Sequence, residues 1–175
     1  MGINLPGGRI KMIPEIKKIL YTTDLSETSI FAFSYAAGLA NRYDASIIIM
    51  HVIKDLTGSS EELVTNVIGE KKWHEILGRN KMEILDKIRQ RLVDFCEQTR
   101  SEMSGCPFLV ENIIVKVGNP VDEIVQEAAS EVYDMVVMGA HGHGAITGTI
   151  MGSVSRRVLR RCQKPVLVVR LPEKD

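Results

Sequence analysis

The sequence predicts a single α/β domain built on one doubly wound, mostly parallel five-stranded sheet with helices on both faces. Strand-like and helix-like runs alternate along the chain, which implies right-handed βαβ crossovers. The run Ser46 to Ile53 (SIIIMHVI) is apolar almost without interruption, as a strand covered on both faces must be. The length of 175 residues, with 45% hydrophobic and 25% charged composition, suits one domain with a substantial core. No internal repeat or second domain is visible.

The elements follow from period and punctuation. Lys18 to Thr23 (KILYTT) reads as the first strand. Ser26 is an N-cap with Glu27 in the first turn, and Ile30, Phe33, Ala37 and Ala40 keep helical spacing as far as Tyr43-Asp44. The second strand, Ser46 to Ile53, precedes a charged stretch from Glu61 to Arg100. There Leu85, Ile88, Leu92 and Phe95 mark an amphipathic helix, and Leu63, Val67 and Trp73 to Leu77 a shorter one before it. Glu111 to Val117 (ENIIVKV) is the third strand. Asn119 then caps a helix with Pro120 at its first position, and Val121, Ile124, Val125, Ala128 and Val132 form its buried stripe. Asp134 to Met138 is the fourth strand. A helix from Ser153 places Val154, Val158, Leu159 and Cys162 on one side and Arg156, Arg157, Arg160 and Arg161 on the other, the latter read as a solvated face. Lys164-Pro165 opens the fifth strand, Val166 to Arg170. Residues 1–16 are expected to be a flexible lead, residues 17–172 the domain, and 56–107 a helical insertion within it.

Charge and composition narrow the function. Lys+Arg and Asp+Glu both number 22, so no net field draws the chain to nucleic acid or an anionic membrane, and neither is expected as a partner. The lead lacks the apolar core of a secretory signal, and no run reaches the ~18 residues of a membrane span. Cys96, Cys106 and Cys162 are odd in number and lack CxxC spacing, which favours idle thiols in a reducing cytoplasm.

Chemistry concentrates after the fourth strand. Gly139, Gly142, Gly144, Gly148 and Gly152 lie within MGAHGHGAITGTIMGSVSRRV, Met138 to Val158. In open α/β sheets, ligands bind outside the carboxyl ends of the strands where strand order reverses. This segment lies at such an end and runs into a helix N-terminus, whose unpaired N–H groups suit an anion. Glycine also admits positive φ and lets amides approach phosphate oxygens closely. Other phosphate and nucleophile motifs fail letter by letter. No glycine is followed by Lys and then Ser or Thr, Gly142-x-Gly144 is followed by Thr147 where GxGxxG needs glycine, and Gly152-Ser153 lacks GxSxG spacing. His141-x-His143 has no carboxylate or cysteine spaced to complete a metal site. His51 reads as a core or edge residue rather than a base, and His74 as surface.

The spacing Gly139-x2-Gly142-x9-Gly152-Ser153 resembles the ATP-binding branch of the universal stress protein family. The likeness extends over nearly the whole domain. It includes Thr22-Thr23-Asp24-Leu25-Ser26, Met50-His51-Val52, Val117-Gly118-Asn119-Pro120, Gly152-Ser153-Val154-Ser155 and Pro165 to Val169. It implies a Rossmann-like sheet of order 3-2-1-4-5, of the adenine nucleotide alpha hydrolase-like type, and a nucleotide at the switch point. By resemblance, Asp24 holds ribose or lies near adenine, with Thr22 and Thr23 lining that edge and Val52 holding adenine by its backbone. Met138 and Gly139 lie against the nucleoside. Gly142, Gly152, Ser153, Val154 and Ser155 hold phosphates, and His141 is a further phosphate contact. The implied ligand is ATP, or AMP or ADP, with Mg2+ or Mn2+. The same likeness implies a homodimer through the last strand, Val166 to Leu171, and a protein partner the sequence does not name.

Asp24 has a second reading, as a helix cap beside Ser26. For function, a regulatory nucleotide-binding module in stress response is favoured over a slow ATPase or phosphotransferase, because the glycine segment carries no general base or lysine. A nucleotidyl transferase would need HxGH spacing, which His141-Gly-His143-Gly lacks. No catalytic residue and no dedicated metal ligand is assigned.

Overall fold

The structure, a computed structural model, describes residues 2–5, 8–11, 14–54, 70–102, 108–142 and 151–172. In chain order the described elements are β1 (Gly2–Leu5), β2 (Gly8–Lys11), β3 (Lys18–Thr23), α1 (Glu27–Tyr43), β4 (Ser46–Lys54), α2 (Glu70–Glu102), β5 (Leu109–Gly118), α3 (Pro120–Ala128), β6 (Met135–Gly139), α4 (Ser153–Arg161) and β7 (Val166–Val169). The main sheet has the order β5-β4-β3-β6-β7, and every neighbouring pair in it is parallel. Counted within that sheet, the order is the expected 3-2-1-4-5. Strand order reverses at β3, which has β4 on one side and β6 on the other.

Alternation along each strand divides the core in two. Ile19, Tyr21, Ile47, Ile49 and Val137 pack with the alanines and Phe33 of α1 and with Leu92 and Cys96 of α2. Leu20, Ile48, Met50 and Val136 face the other way, onto Val121 and Ile124 of α3 and Val158 of α4. The buried stripe of α1 is made of Ala32, Ala36, Ala37 and Ala40 around Phe33, small residues that let the helix lie close to the sheet. Phe33 meets Tyr21, Phe95 and Phe108 edge-to-face at 5.0, 5.0 and 5.3 Å between ring centres, contacts each worth about 0.5–1.5 kcal/mol.

The starts of the strands are tied by polar groups. Asp134 Oδ2 accepts from the amides of Lys17 and Lys18 at 2.7 and 2.8 Å. Glu111 accepts from Lys18 Nζ and Ser46 Oγ, both at 2.7 Å, and the Lys18 bond, followed by that of Ser46, holds its carboxyl below the usual range. The opposite ends of β3, β4 and β6 lie side by side at the other end of the sheet.

The caps match the sequence. Ser26 Oγ accepts from Ser29 N at 3.3 Å, and Asp44 closes α1 in the left-handed region at φ 53°. Asn119 Oδ1 accepts from Val121 N and Asp122 N at 3.0 and 3.4 Å, with Pro120 at the helix start. Asn119→Ala is therefore expected to cost about 1 kcal/mol, measurable as a lowered midpoint in urea with an unchanged slope.

Several expectations are corrected. Within the segment read as a lead, β1 and β2 pair antiparallel. Trp73 to Leu77 belong to the same continuous helix as Leu85 to Phe95, while Leu63 and Val67 lie outside the described residues. Val132, placed on a buried stripe, is 57% exposed, and Ile30 and Leu159, read into the apolar patterns of their helices, are exposed by 42% and 46%. The stripe of α1 centres on its alanines, α3 ends at Ala128 before Val132, and Leu159 lies off the Ser155–Val158 side of α4.

Candidate ligand site at the sheet switch point

A cavity of about 500 Å³ opens at the carboxyl ends of β3, β4 and β6, within the ~300–1,000 Å³ usual for small-molecule sites. The structure brings all the candidate residues to its lining: Thr22, Thr23 and Asp24 from the end of β3, Val52 from β4, Met138 and Gly139 from β6, His141 and Gly142 beyond it, and Gly152, Ser153, Val154 and Ser155 at the start of α4. His143, Gly144 and Gly148 lie outside the described residues.

The turn from β3 to α1 sets the position of Asp24. Leu25 has φ 65°, a left-handed conformation that costs a non-glycine residue about 1–2 kcal/mol. Side chains hold the turn. Thr23 Oγ1 accepts from Leu25 N at 3.0 Å and lies 3.0 Å from Ser29 Oγ. Asp24 Oδ1 accepts from Ser26 N at 3.1 Å. Asp24 thus steadies the helix start with one oxygen, as its reading as a cap expects, while its other oxygen lies beside Gly142.

The glycines are required for space rather than for unusual backbone angles, since among the described residues only Gly118 is a positive-φ glycine. At Gly142, the Asp24 carboxylate occupies the place where a Cβ would stand. At Gly139, a Cβ would lie 3.0 Å from Ser29 N and 3.1 Å from Thr28 C, both backbone atoms of α1. The steric demand at Gly139 therefore comes from helix packing, at a residue that also lines the cavity. At Gly152, a Cβ would approach Ala140 O at 3.1 Å.

The start of α4 faces the cavity, and among the described residues no side chain caps it. Gly152 supplies no side-chain cap, and the intrahelical bonds begin with Arg156 N donating to Gly152 O at 3.1 Å. The amides of Ser153, Val154 and Ser155 accordingly have no partner within the helix. Two expected phosphate donors are otherwise engaged. Gly152 N donates to Ala140 O at 2.8 Å, and the buried Ser155 hydroxyl donates to the same oxygen at 2.7 Å. Ser155 can thus offer its amide but not its hydroxyl. The His141 carbonyl lies 3.4 Å from Ser26 Oγ, joining the exit of β6 to the start of α1.

Sequence reasoning missed part of the lining. His51, Ile53 and Lys54 extend the β4 wall, Pro120 and Ile124 come from α3, and Ile88 reaches the cavity from α2. The alternation of β4 was the available signal for Lys54, which shares a face with Met50 and Val52. Nothing local in the sequence marks Ile88. Among the described lining residues Asp24 is the single carboxylate and Lys54 the single Lys or Arg. Among the described residues no group of three or more His, Cys, Asp or Glu is placed to hold a metal ion, and no helix is long and apolar enough to cross a membrane.

Fold and site together define a doubly wound α/β protein with a cavity at the switch point of its sheet, walled on one side by a helix N-terminus. The chain belongs to the universal stress protein family, whose model matches residues 15–170. It is 31% identical over 154 residues to universal stress protein MJ0577 of Methanocaldococcus jannaschii, covering 88% of this chain and 94% of that protein. The solved structure of MJ0577 superposes with a TM-score of 0.72 at 28% identity, over 92% of this chain and 100% of that one. The same fold recurs in a universal stress protein solved in complex with cAMP, with a TM-score of 0.57 at 23% identity over 90% and 98% of the two chains. It recurs again in one from Archaeoglobus fulgidus in complex with dAMP, with a TM-score of 0.54 at 17% identity over 88% and 97%.

Proposed function

We propose that this chain binds ATP at the switch-point cavity and acts as a regulatory nucleotide-binding module in stress response. The observation that carries the reading is the meeting, in one cavity, of the Asp24 carboxylate with the start of α4. A carboxylate accepts from ribose hydroxyls, and free helical amides donate to phosphate oxygens. Apolar walls from Met50, Val52 and Met138 suit a purine between those two ends. The cAMP and dAMP complexes of related folds support an adenine nucleotide. The position of Asp24 beside Gly142 supports a ribose contact, and the amides of Ser153 to Ser155, which have no partner within the helix, support contacts with a phosphate chain.

Mg2+ or Mn2+ enters with the triphosphate, whose oxygens supply its ligands. In the proposed homodimer, β7 of two copies pair along the free edge of the sheet. The position of β7 at that edge and the 40% exposure of Leu171 favour this, because pairing removes an open strand edge from solvent. The proposed setting is the cytoplasm.

Holding ATP is favoured over hydrolysing it. The lining carboxylate already accepts from Ser26 N, and the Ser155 hydroxyl is committed to Ala140 O. The test is the nucleotide that copurifies, extracted and identified before and after long incubation with Mg2+. Intact ATP is the expected result. Multiple turnovers to ADP, abolished by Asp24→Asn, would establish the enzyme reading instead.

A further inference from the structure

His51 has no part in the nucleotide contacts proposed above, yet its ring sits at the joint between two walls of the cavity. Its Nδ1 lies 2.8 Å from the carbonyl oxygen of Thr23. A carbonyl only accepts, so Nδ1 carries the hydrogen and donates. In the neutral ring this leaves Nε2 bare, the reverse of the tautomer that predominates in free histidine. The bond crosses from β4 to β3 at their final register pair, Thr23 with His51. The Thr23 carbonyl belongs to the peptide that leads into Asp24, and Val52 follows His51 directly. The ring thus fixes the spacing between the two strand ends from which Asp24 and Val52 enter the cavity.

The joint carries strain. Leu25, one residue beyond Asp24, is held at φ 65°. Two of the bonds that hold this turn, Leu25 N to Thr23 Oγ1 and Ser26 N to Asp24 Oδ1, lie within the turn itself and would move with it. The His51 bond comes from the adjacent strand, so it anchors the turn to the sheet.

We infer that His51 is a positioning residue of the ligand site, whose Nδ1–H clamps the Thr23 carbonyl and thereby orients the Asp24 carboxylate toward the nucleoside. This assignment rests on the nucleotide reading, and it specifies a residue through which the site is held in register. His51→Leu keeps the bulk and removes the donor, whereas His51→Asn keeps an N–H of similar reach. His51→Leu is expected to remain folded and to weaken ATP binding about tenfold, the loss matching one misplaced hydrogen-bonded contact. His51→Asn is expected to bind within about threefold of wild type on the same scale.

Calorimetric titration with ATP, thermal midpoints of each variant, and imidazole 15N shifts of the nucleotide-free wild type test this together. The shifts are expected to show His51 as the Nδ1–H tautomer at neutral pH. Equal ATP affinity in His51→Leu and wild type would overturn the role. So would equal losses in the Leu and Asn variants accompanied by lowered midpoints, or an Nε2–H tautomer at His51. Failure of the wild type itself to bind ATP would overturn the nucleotide reading, and the positioning role with it; that failure shows before any substitution is made.

Discussion

Gly142→Val is expected to weaken ATP binding at least about 100-fold while leaving the thermal midpoint close to that of wild type. A Cβ at position 142 falls on the Asp24 carboxylate. That carboxylate is the far end of a rotatable side chain, so the clash is relieved by swinging Asp24 aside rather than by moving backbone. The turn gives up the Asp24 bond to Ser26 N but no backbone has to shift, and the ribose acceptor leaves its place. Losing a hydrogen bond to a charged group costs about 1.5–3 kcal/mol, and the valine branches take cavity volume as well. Calorimetry with ATP, beside a thermal melt of the same sample, separates the two effects. Loss of binding with a large fall in midpoint would show that Gly142 serves the fold instead.

Gly139→Val is expected to do the opposite, striking the fold first. Its Cβ would meet Ser29 N and Thr28 C at 3.0 and 3.1 Å, and these are backbone atoms in the first turn of α1 that cannot rotate away. Relief requires α1 to lift from β6. That loosens a junction where Tyr21 Oη donates to Ser29 O at 2.6 Å and Ser29 lies almost wholly buried. Overpacking of this kind costs about 3 kcal/mol, or a fall of roughly 10 °C in midpoint for a chain of this size. A melt within about 2 °C of wild type on that scale would contradict the packing assigned to Gly139.

These two glycines show how far the site was legible in the sequence. Their spacing pointed to one ligand segment, and the residues it implicated do line one cavity. What each glycine touches was hidden, because both neighbours, Ser29 and Asp24, lie more than a hundred positions away in the chain. Local signals carried well: Ser26, Asp44 and Asn119 act through bonds to residues a few positions distant, Pro120 through its fixed φ at the helix start, and each stands where its chemistry placed it. The alternation of strand and helix fixed the layers because burial on two sheet faces demands it. Signals that depend on tertiary neighbours did not carry. The ring of His51 gains its meaning from the Thr23 carbonyl, and Ile88 from where α2 passes the cavity. Ser155 was expected to help hold phosphate, and nothing in the sequence showed that the exit of β6 brings Ala140 O within 2.7 Å of its hydroxyl.

The central claim is that the cavity between Asp24 and the start of α4 holds ATP. Calorimetric titration of the wild-type protein with ATP and Mg2+, paired with the same titration of Gly142→Val, tests it most directly. Saturable binding of one nucleotide per chain, absent from the folded variant, is the predicted result. No binding by folded wild-type protein at millimolar ATP, or equal binding by the variant, would contradict it.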